Sequence, residues 1–176
     1  MRWMWIDTII GFEPEQQLVA IKNVSLAELH LHAHFPAEGA LPAYPVMPAS
    51  LIIEGMAQTA GILVGSTRNF KEKVILAKII SAELLDDVVP GQTIRYTANL
   101  QRIDQTGAST TGQIQLLDHR EGAWRDLGRI DLMFSHLDQN RAGMEFPEEN
   151  FVFGENFRTI LANSGILERL CATTSE

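Results

Sequence analysis

A chain of 176 residues, 45% hydrophobic and 20% charged, has the length and composition of one globular domain with a sizeable core, not of a disordered or fibrous protein. Its formal net charge of −8 argues against nucleic acid as a partner, and its apolar runs are short and interrupted, so no membrane span is expected. A single cysteine, Cys171, excludes an intrachain disulfide framework, and Asp7 interrupts the apolar start before it reads as a signal peptide; a cytoplasmic location is the expectation.

Residues 3–10 are apolar and β-prone, "GFEPEQQ" supplies turn residues, and "LVAIKNV" over residues 18–24 reads as the returning strand of a hairpin. A polar turn follows, then "HLHAHF", in which His30, His32 and His34 alternate and would share one face of a strand. Pro36, Pro42, Pro45 and Pro48 punctuate residues 36–48, a density that no regular element survives.

Pro48 suits the first turn of a helix, where its missing N–H does no harm. From Ala49 to about Ser66, Leu51, Ile52, Met56, Ala57, Ala60, Leu63 and Val64 recur at three and four, and a helix apolar nearly all round is a buried one. Strand signals follow over residues 74–85, 93–103, 109–117 and 124–137, divided by Pro90-Gly91, "DQTGAS" and "DHREGA". This predicts an antiparallel meander of about four strands. The predicted fold class is α+β: a curved antiparallel sheet wrapped around one long buried helix, in a domain of residues 1–137. Residues 138–176 read as a polar linker and a C-terminal helical extension, its helix beginning near Glu155.

Glu54 stands out because charge inside such a helix is costly unless it is used or paired. Burial favours the protonated form of a carboxyl, which is what a general acid requires; the plainer reading is a helix-edge glutamate satisfied by Gln58 one turn on. His34, before Phe35-Pro36, is the candidate base, with a loop histidine as its plainer reading. The N–H groups of Ala49, Ser50 and Leu51 point out of the helix N-terminus, where partial positive charge gathers and can hold an oxyanion. Ser50 lacks the glycine elbow of a nucleophile. His119 and His136 lie in distant segments, so no metal centre is expected.

The run "HFP…YPVMPASLIIEGMAQTAGIL" resembles the signature of the FabZ-type 3-hydroxyacyl-acyl-carrier-protein dehydratases, of hotdog fold. In that family His-Phe-Pro-Gly leads into Pro-x-x-Pro-Gly and a helix bearing Glu-Ala-x-Ala-Gln. "WIDTIIGFEPEQQLVAIKNVS" and "LAKIISAELLDDVVPGQTIRY" resemble its opening hairpin and a later strand pair, so the resemblance covers about residues 3–137. It implies that His34 is the catalytic histidine, Glu54 the catalytic acid, and the Ala49 amide the donor to the thioester carbonyl. Ser50, Phe35 and Gln58 complete the expected substrate contacts.

The implied reaction is loss of water from 3-hydroxyacyl thioesters to give trans-2-enoyl thioesters in fatty acid biosynthesis, without metal or cofactor. The implied assembly is a homodimer, or a higher oligomer, whose catalytic side chains meet across the interface. The acyl group would ride on acyl-carrier protein or coenzyme A, and Arg68, Lys71 and Lys73 are candidates for docking an acidic carrier. Residues 38–44 are extra relative to the family pattern, and Ala37 and Ala49 replace glycines, where a positive φ would burden an alanine. Two other readings fit the same fold. A thioesterase would aim water with Glu54 and not need His34; a non-catalytic subunit would bind thioesters only.

Overall fold

The computed structural model describes residues 4–137 and 154–166. The chain opens with a hairpin of β1 (Thr8–Glu13) and β2 (Gln17–Asn23). Gly11 and Phe12 lie in the ladder, opposite Val19 and Leu18, and not in the turn as the sequence suggested. Burial of Phe12 keeps the strand going, and the reversal falls on residues 14–16, where Glu15 has φ 59°.

The histidine-rich stretch is a short helix, α1 (Leu29–Ala33), and not a strand that places its histidines on one face. Its register sends Leu31 into the core at 1% exposure and leaves Leu29 outside. Residues 34–48 form neither helix nor strand, apart from a bridge between Glu38 and Leu41. The helix expected after Pro48 is α2 (Ala49–Ser66), with Pro48 as its N-cap residue. Then come β3 (Lys73–Leu84), β4 (Gln92–Ile103), β5 (Gly107–Asp118), β6 (Ala123–Leu137) and α3 (Glu155–Asn163).

The strands form one antiparallel sheet in the order β1-β2-β4-β5-β6-β3. Only β4, β5 and β6 make a meander. β3 crosses to the far edge and pairs with β6, while β4 pairs with β2, so the four-strand meander read from the sequence is corrected. Period-two alternation says which face a residue occupies but names no neighbour.

α2 packs against the inner face of β2 to β6, and this is the hotdog arrangement. Ile52, Met56, Ala60 and Leu63 meet Ile94, Tyr96, Ile114, Ile130 and Leu132 in one buried cluster. Burying each large side chain is worth roughly 1.5–3 kcal/mol. By length and mean hydropathy (1.2) α2 could cross a membrane, but 67% of it is buried within the protein. α3 packs on β1 and adds Leu161 to the core, and Ile166, just beyond the helix, joins it there. Cys171, the expected linker up to residue 153 and the extension beyond residue 166 lie outside the described residues.

Gly55 lets β4 and the N-terminal segment come close to α2. A Cβ there would stand 2.5 Å from the Tyr96 hydroxyl and 2.9 Å from the Trp5 carbonyl oxygen. Burial pushes the Tyr96 phenol upward, and among the described residues its hydroxyl has no hydrogen-bond partner. Removing an orphaned buried hydroxyl without changing shape relieves its desolvation cost, so Tyr96→Phe should raise stability by about 1 kcal/mol in urea unfolding.

The β4–β5 turn carries the second prediction. Asp104 accepts hydrogen bonds from Thr106 Oγ1 (2.6 Å), Thr106 N (2.8 Å) and Gly107 N (3.2 Å), which hold its carboxyl down at about 2 against a usual 3.8. A depressed folded pKa gives stability that is present above the unfolded value and lost as pH falls through the folded one. Asp104→Ala should therefore unfold at lower urea than the parent near neutrality, with the gap closing between about pH 4 and pH 2.

Candidate active site

Ser50, Glu54 and Gln58 lie at intervals of four on α2 and so form one polar stripe on a mostly apolar helix. The stripe runs inward: Ser50 is exposed, Glu54 half-buried and Gln58 buried at 6% exposure. Gln58 Nε2 donates to Glu54 Oε1 at 3.0 Å, and Gln58 Oε1 accepts from the backbone N–H of Trp5 at 2.9 Å.

At the open end of α2, Leu51 N–H donates to the Pro48 carbonyl at 2.9 Å, which removes it from the free donors expected there. The N–H groups of Ala49 and Ser50 remain unpartnered among the described residues, and no side chain caps this end. They stand at the positive end of the helix dipole. Beside them is a cleft of about 390 Å³, lined by Met47, Ala49, Ile52, Leu84, Leu85, Asp86 and Asp87. The Asp87 N–H and the Arg125 guanidinium hold the Asp86 carboxyl below its usual range.

His34 sits at the C-cap of α1 in extended backbone. Its Nδ1 lies 2.5 Å from the Val46 carbonyl oxygen. A carbonyl only accepts, so Nδ1 carries the hydrogen and, in the uncharged ring, Nε2 keeps its lone pair. Phe35 stacks on the imidazole, centroids 4.4 Å apart and planes 26° apart. Val46 precedes Pro48 by two residues, and Met47 N–H is fixed to the Val88 carbonyl at 2.7 Å, so the peptide that anchors the ring leads directly into α2.

The added loop is closed on itself. Tyr44 N–H donates to the Phe35 carbonyl, Glu38 and Leu41 exchange backbone hydrogen bonds, and the Tyr44 hydroxyl donates to Asp87 at 3.3 Å. The positive φ values fall on Phe35 (51°) and Gly39 (58°), not on Ala37 or Ala49, so neither alanine bears the cost anticipated for it. An aromatic residue in that region costs on the order of 1–2 kcal/mol, a strain that gathers at functional sites.

The residues 2–120 match the model of the FabA-like domain. The chain belongs to the FabA-like family. It is similar to the 3-hydroxyacyl-[acyl-carrier-protein] dehydratase FabZ of Ruminiclostridium cellulolyticum, 35% identical over 99 residues, which are 56% of this chain and 66% of that one. To the FabZ of Pelotomaculum thermopropionicum it is 36% identical over 117 residues, 63% of this chain and 79% of that one. In fold it is similar to the dehydratase heterocomplex ApeI:P from Xenorhabdus doucetiae, with TM-score 0.58 and 16% identity over 78% of this chain and 85% of that one.

This FabA-like chain thus holds His34 beside Phe35, and Glu54 beside Gln58, each pair on its own support. The basic residues expected to dock a carrier sit beyond the other end of α2, roughly 27 Å from Ala49 by helical rise. There Arg68 is bound to the Glu72 carboxylate and to the Asp104 carbonyl. The side chain of His32 lies outside the described residues.

Sequence reasoning missed the supports. Lys22, at 6% exposure, binds Glu28 and Asp7 (3.2 Å), and Glu28, the N-cap residue of α1, also faces His30 Nε2 at 3.4 Å. Burial pushes His30 down against the upward pull of Glu28. Lysine alternating inward with Leu18 and Ala20 along "LVAIKN" was the available signal. Lys22→Met should cost about 3 kcal/mol in urea unfolding, the low end for breaking a buried pair because Asp7 is 36% exposed.

Proposed function

We propose that this chain is a 3-hydroxyacyl-[acyl-carrier-protein] dehydratase of fatty acid biosynthesis, acting in the cytoplasm, with His34 as base and Glu54 as acid. The observation that carries the assignment of the base is the bond from His34 Nδ1 to the Val46 carbonyl, which leaves Nε2 as the proton-accepting atom. Nε2 takes the proton from C2 of the 3-hydroxyacyl thioester. Charge moves onto the thioester oxygen, where the Ala49 N–H at the α2 N-terminus receives it. The C2 electron pair closes the C2–C3 double bond as the C3–O bond breaks. Protonated Glu54 gives its proton to the departing hydroxyl, which leaves as water. His34 ends protonated and Glu54 ionised, and return of one proton resets the site. Each positioned transfer contributes roughly 10²–10⁴-fold.

The functional unit is a homodimer in which His34 of one protomer works with Glu54 of the other. β3 supports this: among the described residues it is bonded on one side only, to β6, and it exposes Leu76, Ile79 and Ile80 at 38%, 44% and 50%. An apolar open edge of that kind is a template for pairing with a second copy. A thioesterase would leave the oriented His34 without a task.

Two inactive variants test the whole reading. His34→Asn and Glu54→Gln should each lose interconversion of 3-hydroxyacyl and 2-enoyl thioesters, followed by enoyl absorbance, with no free thiol released. Unfolded together and refolded as a mixture, they should recover about a quarter of wild-type activity, since half the dimers are mixed and each mixed dimer has one intact site. No recovery in a mixture that forms dimers removes the shared site. Thiol release that survives His34→Asn replaces the dehydratase with a thioesterase.

A further inference from the structure

Gln58 is buried on the core side of α2, and both ends of its amide have identified contacts. A primary amide could in principle be turned either way, but here the choice is forced. The backbone N–H of Trp5 is a donor whatever the pH, so the group facing it at 2.9 Å must be the carbonyl oxygen Oε1. The NH2 group therefore faces Glu54 Oε1, at 3.0 Å, and it has hydrogens only to give. Trp5 can come this close because residue 55 is glycine: a Cβ there would meet the Trp5 carbonyl oxygen at 2.9 Å. The backbone of the N-terminal segment thus sets the orientation of the glutamine, and the glutamine sets that of the carboxyl.

We infer that Gln58 is a positioning residue for the acid: pinned by the Trp5 N–H, it reserves Glu54 Oε1 as an acceptor, so that the proton to be transferred is carried on Oε2. The inference rests on the reading of Glu54 as the acid. It changes the role expected for Gln58, from touching the substrate to acting through Glu54. It also gives the hydrogen bond a kinetic consequence. A donor bond to a carboxylate is about twice as strong as one to a neutral carboxyl, so the bond tightens as the proton leaves Oε2. An interaction that strengthens along the reaction lowers the barrier and leaves substrate binding alone, so Gln58 belongs to kcat and not to KM.

The experiment measures kcat and KM across pH for the full chain and for Gln58→Leu, Gln58→Glu and Glu54→Gln, with a 3-hydroxyacyl thioester as substrate. Gln58→Leu should lower kcat roughly 10- to 100-fold with KM within about twofold, the loss of one charge-assisted bond. Gln58→Glu should recover kcat relative to wild type as pH falls, because a protonated carboxyl again offers an acceptor to Trp5 and a donor to Glu54. Unimpaired kcat in a folded Gln58→Leu, or a raised KM with kcat intact, overturns the assignment. If Gln58→Leu does not fold, Gln58→Glu decides: no gain relative to wild type at low pH overturns it equally. An inactive wild type, or an active Glu54→Gln, sinks the reading of Glu54 and the role of Gln58 with it. An active wild type, a silent Glu54→Gln and an unimpaired Gln58→Leu sink Gln58 alone.

Discussion

A carboxyl group on the wall of a buried helix persists only where polar groups follow it inward, and the Trp5–Gln58–Glu54 chain of hydrogen bonds meets that need on α2. Much else is arranged around it. Gly55 gives up a side chain so that Trp5 and Tyr96 reach the helix. Tyr96 in turn is fully buried with its hydroxyl unpartnered among the described residues, a local cost accepted beside the candidate site. Close packing at Gly55 and the polar stripe through Gln58 both meet Trp5, so the helix is core and candidate-site wall at once.

The half of the candidate site that bears His34 is built differently. No long element carries the histidine; it follows a five-residue helix and precedes a left-handed Phe35. Its ring is steadied from outside that helix, by the Val46 carbonyl and the face of Phe35. The added residues 38–44 lie between these two supports and are tied down by the Glu38–Leu41 exchange and by the bonds from Tyr44 to Phe35 and Asp87, so the anchor at Val46 is retained despite the longer connection. Lengthening a loop whose ends are already fixed costs little chain entropy, which explains how the insertion is tolerated at such a place.

What the sequence makes legible follows from the range of the forces involved. α2 could be read to the residue because Pro48 and the three-and-four spacing of Leu51 to Val64 are local signals. The position of β3 could not, because its partners in β6, from Leu84↔Gly128 to Lys73↔Leu137, lie 44 to 64 residues away and pairing is settled by the sheet as a whole. α1 was hidden because alternating histidines mimic a strand, and only the burial of Leu31 against the exposure of Leu29 decides for helix. His34 and Glu54 were visible as chemistry, whereas Trp5 and Val46 act through backbone atoms that every residue possesses and that no pattern advertises.

The two supports also differ in their reach along the chain, and this bears on how the protein assembles. The bonds that hold the histidine side, Lys22 to Glu28 and Asp7 and His34 to Val46, join residues 6, 15 and 12 apart. The bond that orients the glutamate side joins residues 53 apart. Short closures form before long ones, because less chain entropy must be surrendered before contact is made. Chain entropy therefore favours early closure of these short bonds around His34, and later closure of the N-terminal segment over α2, where Trp5 meets the Gln58 that orients Glu54.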